Sequence, residues 1–141
     1  KTAAAFRVSL LLGAIAGGAD ERTLRALDQF SSLIGLAYQI KDDLEDFTVE
    51  NRVVSFENPS IWISLLAEKV NGDVKLMRKA FLQNDISQLQ SLMEKYMIRD
   101  SITNLLKEFL HRIDLCLSNL HNIGLKLALH EIVGKTFNEY I

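Results

Sequence analysis

The sequence predicts an all-α helical bundle, and three observations carry that expectation. There is one proline in 141 residues. Apolar residues recur at three- and four-residue spacing along most of the chain. Runs of β-branched residues of the kind that build strands are few.

Taken in order, Lys1 to Ala16 forms a first, alanine-rich helix closed by Gly17-Gly18, a C-terminal signal. Its small residues Ala3, Ala4, Ala5, Gly13, Ala14 and Ala16 favour close contact with neighbouring helices. Asp20 or Thr23 caps a long second helix running to about Phe47, with Leu24, Leu27, Phe30, Ile34, Ala37 and Ile40 at helical period. The stretch "TVENRVVSFEN", 48–58, breaks the pattern. Asn58-Pro59 opens a third helix, with Ile61, Trp62, Leu65 and Leu66, ending at Asn71-Gly72.

Asp73 starts a fourth helix, to about Gln83. Asp85 starts a fifth, with Ile86, Leu89, Leu92, Met93 and Tyr96 on one face. Asp100-Ser101 caps a sixth, whose stripe is Ile102, Leu105, Phe109, Ile113 and Cys116. The last runs from about Asn122 to Tyr140 and carries Leu125, Leu129, Ile132 and Val133. No internal repeat or low-complexity segment interrupts this order.

The length suits one helical domain over residues 1–141, and 48% hydrophobic content is enough for a core. A formal net charge of −2 argues against a nucleic-acid surface. One cysteine, Cys116, excludes an internal disulfide framework and fits a reducing, cytoplasmic setting. The longest apolar run, Val8 to Ala19, is too short to span a bilayer. Because the first residue is Lys1 rather than methionine, the native N-terminus is expected to lie upstream.

The chemistry lies in "GLAYQIKDDLEDF", Gly35 to Phe47. Gln39, Asp42, Asp43 and Asp46 fall at i, i+3, i+4 and i+7, on one helical face. Like charges one turn apart weaken a helix by about 0.2–0.5 kcal/mol per pair, so stability does not explain the cluster. Carboxylate oxygens on one side suit a hard cation. Mg²⁺ binds one or two carboxylates, keeps several waters, and takes other ligands from phosphates. The competing reading is a solvated acidic face.

The same residues resemble the second aspartate-rich motif of the trans-isoprenyl diphosphate synthases, the polyprenyl synthetase family. Gly35, Tyr38, Gln39, Asp42, Asp43 and Asp46 stand in register, with tyrosine where phenylalanine is usual. "KTAAAF" resembles the family's Lys-Thr pair at the start of the preceding helix, and "LLGAIAGGA" that helix's glycine-rich end. The resemblance is specific from Lys1 to Phe47.

It implies the C-terminal part of an isoprenoid-synthase fold, and a prenyltransferase condensing isopentenyl diphosphate with an allylic diphosphate. It implies Mg²⁺ held by Asp42, with Asp43 and Asp46 contributing directly or through water. Gln39 and Thr2 would be polar neighbours of the ionising bond, Lys1 a diphosphate contact and Lys41 a weaker one. The family's other aspartate-rich motif is absent from these residues. Its usual Lys- and Gly-bearing loop is replaced by a stretch offering only Arg52, and "KTFNEYI" lacks an arginine.

The isolated chain is therefore expected to be inactive. It should also bare Leu10, Leu11, Ile34 and Ala37 and form a homo-oligomer. The alternative is a catalytically inert helical domain of this descent, acting as an interaction module; a terpene cyclase would carry an asparagine/serine/glutamate version of the motif. His111, His121 and His130 show no ligand spacing, Cys116 reads as a buried thiol, and Trp62 and Phe56 read as core.

Overall fold

The computed structural model describes residues 2–46, 61–70 and 72–141, without the side chains of Thr2, Ala3 and Asp46. Among the described residues there are seven helices: α1 Thr2–Ala16, α2 Glu21–Asp46, α3 Ile61–Lys69, α4 Val74–Leu82, α5 Ile86–Lys95, α6 Ile98–Ser118 and α7 Ile123–Phe137. No strand occurs among the described residues, so the all-α expectation holds. Asn58 and Pro59, expected to open the third helix, lie outside the described residues.

The ends follow local chemistry. Gly18 adopts φ 74°. Ala19 N–H donates to Ala14 O at 2.9 Å and Gly18 N–H to Ile15 O at 3.0 Å, the Schellman closure that a left-handed residue permits. Asp20, not Thr23, caps α2: its carboxylate accepts from Thr23 N–H at 2.7 Å. Asp85 and Asn122 cap α5 and α7 in the same way, from Gln88 N–H and Leu125 N–H. Asp73 stands at the cap position of α4, yet its carboxylate makes no capping bond there.

The chain forms two compact units. The first comprises residues up to 39 and 106–141. Its buried side chains include Leu27, Phe30, Leu33, Ile34 and Ala37 from α2, Leu106, Leu110, Ile113, Cys116 and Leu117 from α6, and Leu129, Val133 and Phe137 from α7. Full burial of a leucine or phenylalanine contributes about 1.5–3 kcal/mol. No described side chain of α1 is buried. Phe6 meets Phe30 with ring centroids 6.2 Å apart, and Arg7 Nε donates to Asp28 at 2.5 Å.

The second unit covers residues 40–105. Within it α4 packs on α5, and α3 touches α5. Its buried side chains include Ile40, Leu44, Leu66, Phe81, Leu89, Leu92, Met93, Ile98 and Ile102.

Four expectations need correction. Helix α6 begins at Ile98 because Met97, at φ 51°, has already turned the chain. Asp100 then lies in the first turn, where a carboxylate complements the helix dipole, and Ser101 Oγ donates to Met97 O instead of capping. The core stripe of α6 uses Leu106, Leu110 and Leu117, leaving Leu105 and Phe109 half-buried. On α7 the buried row is Leu129, Val133 and Phe137, at i, i+4 and i+8, while Ile132 is exposed. Ile34 and Ala37 are buried rather than bare, and Leu10 and Leu11 are half-buried; Val8, Leu12 and Ile15 of α1 and Leu36 of α2 are exposed instead.

Candidate functional site

Helix α2 presents two chemically opposite faces. Ala37, Ile40 and Leu44 are 0%, 4% and 3% exposed, so this row is fixed inward by apolar burial. Gln39 and Asp42 are exposed and Asp43 half-buried, as the helical spacing requires. Gly35 is buried and Tyr38 exposed. The aspartates sit toward the C-terminal end of α2, where the helix dipole is negative and no basic residue occupies the last turn. Mutual repulsion and the dipole act in the same direction, and both raise the advantage of a bound cation. Lys41 offsets part of this locally, but it pairs with Glu45 at 3.1 Å.

Asp43 has a second engagement that the sequence did not reveal. Its Oδ2 accepts from the backbone N–H of Ile61, the first residue of α3, at 2.7 Å. First-turn N–H groups have no partner within their own helix, and a carboxylate satisfies one while complementing the dipole. Eighteen residues separate the two groups. No local spacing rule reaches that far.

The sequence pattern of the polyprenyl synthetase family matches residues 1–55. Over these residues the chain is similar to the polyprenyl synthetase family. It is 54% identical over 48 residues to heptaprenyl diphosphate synthase component 2 of Bacillus subtilis, covering 34% of this chain and 14% of that protein. It is 48% identical over 46 residues to farnesyl diphosphate synthase of Geobacillus stearothermophilus, covering 33% and 16%. Against geranylfarnesyl diphosphate synthase of Methanosarcina mazei it is 36% identical over 63 residues, covering 43% and 21%. The chain thus spans a small part of the length of the relatives it matches. No solved structure matches it.

Of the other residues assigned by the resemblance to this family, Thr2 opens α1 and Asp46 ends α2, both with side chains outside the described set. Lys1, Arg52 and Phe56 lie outside the described residues. Among the described residues, no group of three His, Cys, Asp or Glu side chains is placed to hold a metal ion. No helix there is long and apolar enough to cross a membrane. Trp62 is half-buried, and His111 and His121 are exposed. The Cys116 thiol is buried, donates to Ala26 O at 3.4 Å, and has its pKa pushed up by that burial, which makes it a poor nucleophile.

Proposed function

We infer that the chain is the C-terminal part of a prenyltransferase that condenses isopentenyl diphosphate with an allylic diphosphate, and that these residues alone do not elongate prenyl chains. One observation carries the reading. Gly35, Tyr38, Gln39, Asp42, Asp43 and Asp46 stand in register on a single helix that turns Ile40 and Leu44 inward and Gln39 and Asp42 to solvent. That helix falls inside residues 1–55, which match the polyprenyl synthetase pattern.

The donors suit magnesium, which needs one or two carboxylates and completes its shell with water and phosphate oxygens. Asp42 would hold it directly, with Asp43 and Asp46 contributing directly or through water. When bound, Mg²⁺ draws charge off the leaving diphosphate. Gln39 and Thr2 serve as polar neighbours of the breaking bond, and Lys1 as a diphosphate contact. The protein works in the cytoplasm and self-associates.

A second reading, an inert helical interaction module, draws on one fact: the family pattern stops at residue 55, so α3 to α7 carry none of it. The deciding experiment follows backbone amide signals by NMR. Mg²⁺ with pyrophosphate should shift the Asp42 and Asp43 signals more than either component alone, and the Asp42→Asn/Asp43→Asn double variant should lose the response while staying folded. A response that survives in the double variant overturns the metal assignment.

A further inference from the structure

We propose that the outer face of α4 is a docking surface for an anionic lipid bilayer, on which the protein rests peripherally. Helix α4 packs on α5 and buries Ala80 and Phe81. By helical spacing Val74, Lys75, Leu76, Arg78, Lys79 and Leu82 fall on the opposite arc, and all six are exposed. The helix carries three basic residues and no acidic one. Lys75 stands in the first turn, where the helix dipole disfavours a cation, and it repels Arg78 and Lys79 at i+3 and i+4. Helix stability therefore does not explain the cluster. None of the three enters an ion pair among the described residues. The acids flanking the helix are engaged elsewhere: Asp73 accepts from Lys95 and Tyr96, and Asp85 from Gln88 N–H.

The apolar members of the arc choose between anionic partners. Leu82 is 70% exposed among the three cations, with Val74 and Leu76 at the edges of the same arc. A soluble phosphate, an acidic peptide or a nucleic-acid backbone would meet the cations and leave these side chains in water. A bilayer surface takes both kinds: its anionic headgroups neutralise the cations, and the acyl boundary receives the leucine. The whole chain carries a formal charge of −2, so attraction to an anionic membrane has to come from a local face. Such a face acts within a Debye length, about 8 Å at physiological ionic strength.

Co-sedimentation of the full 141-residue chain with vesicles provides the test. Equimolar phosphatidylcholine–phosphatidylglycerol vesicles should bind wild type at least about tenfold better than phosphatidylcholine alone. Lys75→Gln, Arg78→Gln and Lys79→Gln should each weaken binding about fivefold, and the triple variant about a hundredfold. Arg25→Gln/Lys107→Gln/Lys135→Gln removes the same charge from exposed sites outside α4 and should bind like wild type. Leu82→Gln keeps the charge and should still weaken binding about fivefold. Equal binding to both vesicle types overturns the proposal, as does equal loss in the two triple variants or a Leu82→Gln variant that binds like wild type. If the α4 triple variant unfolds, as judged by urea denaturation, the three single variants decide. A wild-type chain that ignores anionic vesicles also overturns it. Binding of poly-glutamate, RNA or pyrophosphate that the α4 triple variant loses would then assign the face to a soluble anion.

Discussion

Asp73 and Tyr96, at opposite ends of the α4–α5 pair, are joined by a hydrogen bond from the tyrosine hydroxyl to Asp73 Oδ2 at 3.0 Å. Lys95 Nζ donates to the same oxygen at 2.5 Å. This explains why Asp73 makes no capping bond at the start of α4. Its carboxylate is committed to the end of α5, tying the two ends of the hairpin together.

That pairing has a pH signature. Hydrogen bonds from Lys95 and then Tyr96 hold the Asp73 carboxyl below the usual range, while the bond to Asp73 raises the Lys95 ammonium. Loss of solvent first, then the same bond, raises the Tyr96 phenol. A lowered carboxyl pKa gives stability that is present above the unfolded value and lost as pH falls through the folded one. Raised lysine and tyrosine values give stability that is lost as pH rises through theirs. The stability difference between wild type and Asp73→Asn, from urea unfolding, should be largest near neutral pH and shrink below about pH 4 and above about pH 10. A difference that stays constant from acid to neutral pH would remove Asp73 from the account.

Met97 should respond to a backbone argument alone. It holds φ 51° between α5 and α6 and is 62% exposed, so it pays the left-handed penalty with little burial in return. Glycine carries no such penalty, although it gives the unfolded chain more freedom. Met97→Gly should raise stability by up to about 1 kcal/mol, and Met97→Val should lower it. The midpoint of chemical denaturation measures both. A destabilised glycine variant would mean that the Met97 side chain contributes more than its exposure indicates.

The two faces of α2 make a paired prediction. Leu44 is 3% exposed and Leu36 47% exposed on the same helix. Leu44→Ala should cost about 2–5 kcal/mol, from lost transfer energy and the cavity left behind. Leu36→Ala should stay within about 0.5 kcal/mol. Equal costs would mean that the helix is rotated, and the acidic face with it.

The helices were legible because their signals are local: Asp20, Asp85 and Asn122 each lie three residues before the N–H they cap. So was the outward face of Gln39 and Asp42, since the apolar row Ala37, Ile40 and Leu44 dictates it. What escaped depends on distance along the chain. The sequence offers no hint that Asp43 caps a helix eighteen residues away, or that Asp73 turns from its own helix to residues 95 and 96. Along α6, both Leu105 and Leu106 fit a three-and-four spacing, and only packing chose Leu106. The first helix was placed correctly, but not its exposed side: its apolar residues surround it, so periodicity did not identify which of them face out.

That helix leads to the last prediction. Val8, Leu12 and Ile15 are 56%, 61% and 59% exposed and lie at i, i+4 and i+7, forming one continuous apolar stripe along α1. Arg7 is the one charged residue among the described residues of α1, and it pairs with Asp28. Little on the helix therefore repels a second apolar surface. An exposed stripe of this kind favours association, so the isolated chain should form dimers or larger species in light scattering at micromolar concentration. Leu12→Lys places a charge at the middle of the stripe, where little burial is lost, and should shift the population toward monomer without lowering the unfolding free energy by more than about 0.5 kcal/mol. The same chain, mixed with isopentenyl and geranyl diphosphates and Mg²⁺, should give no elongation. Ionising an allylic diphosphate requires charged groups already fixed on more than one side of it, and these residues hold a single aspartate-rich motif. A wild-type chain that runs as a clean monomer would refute the association argument, and measurable elongation would independently refute the claim that one motif is insufficient.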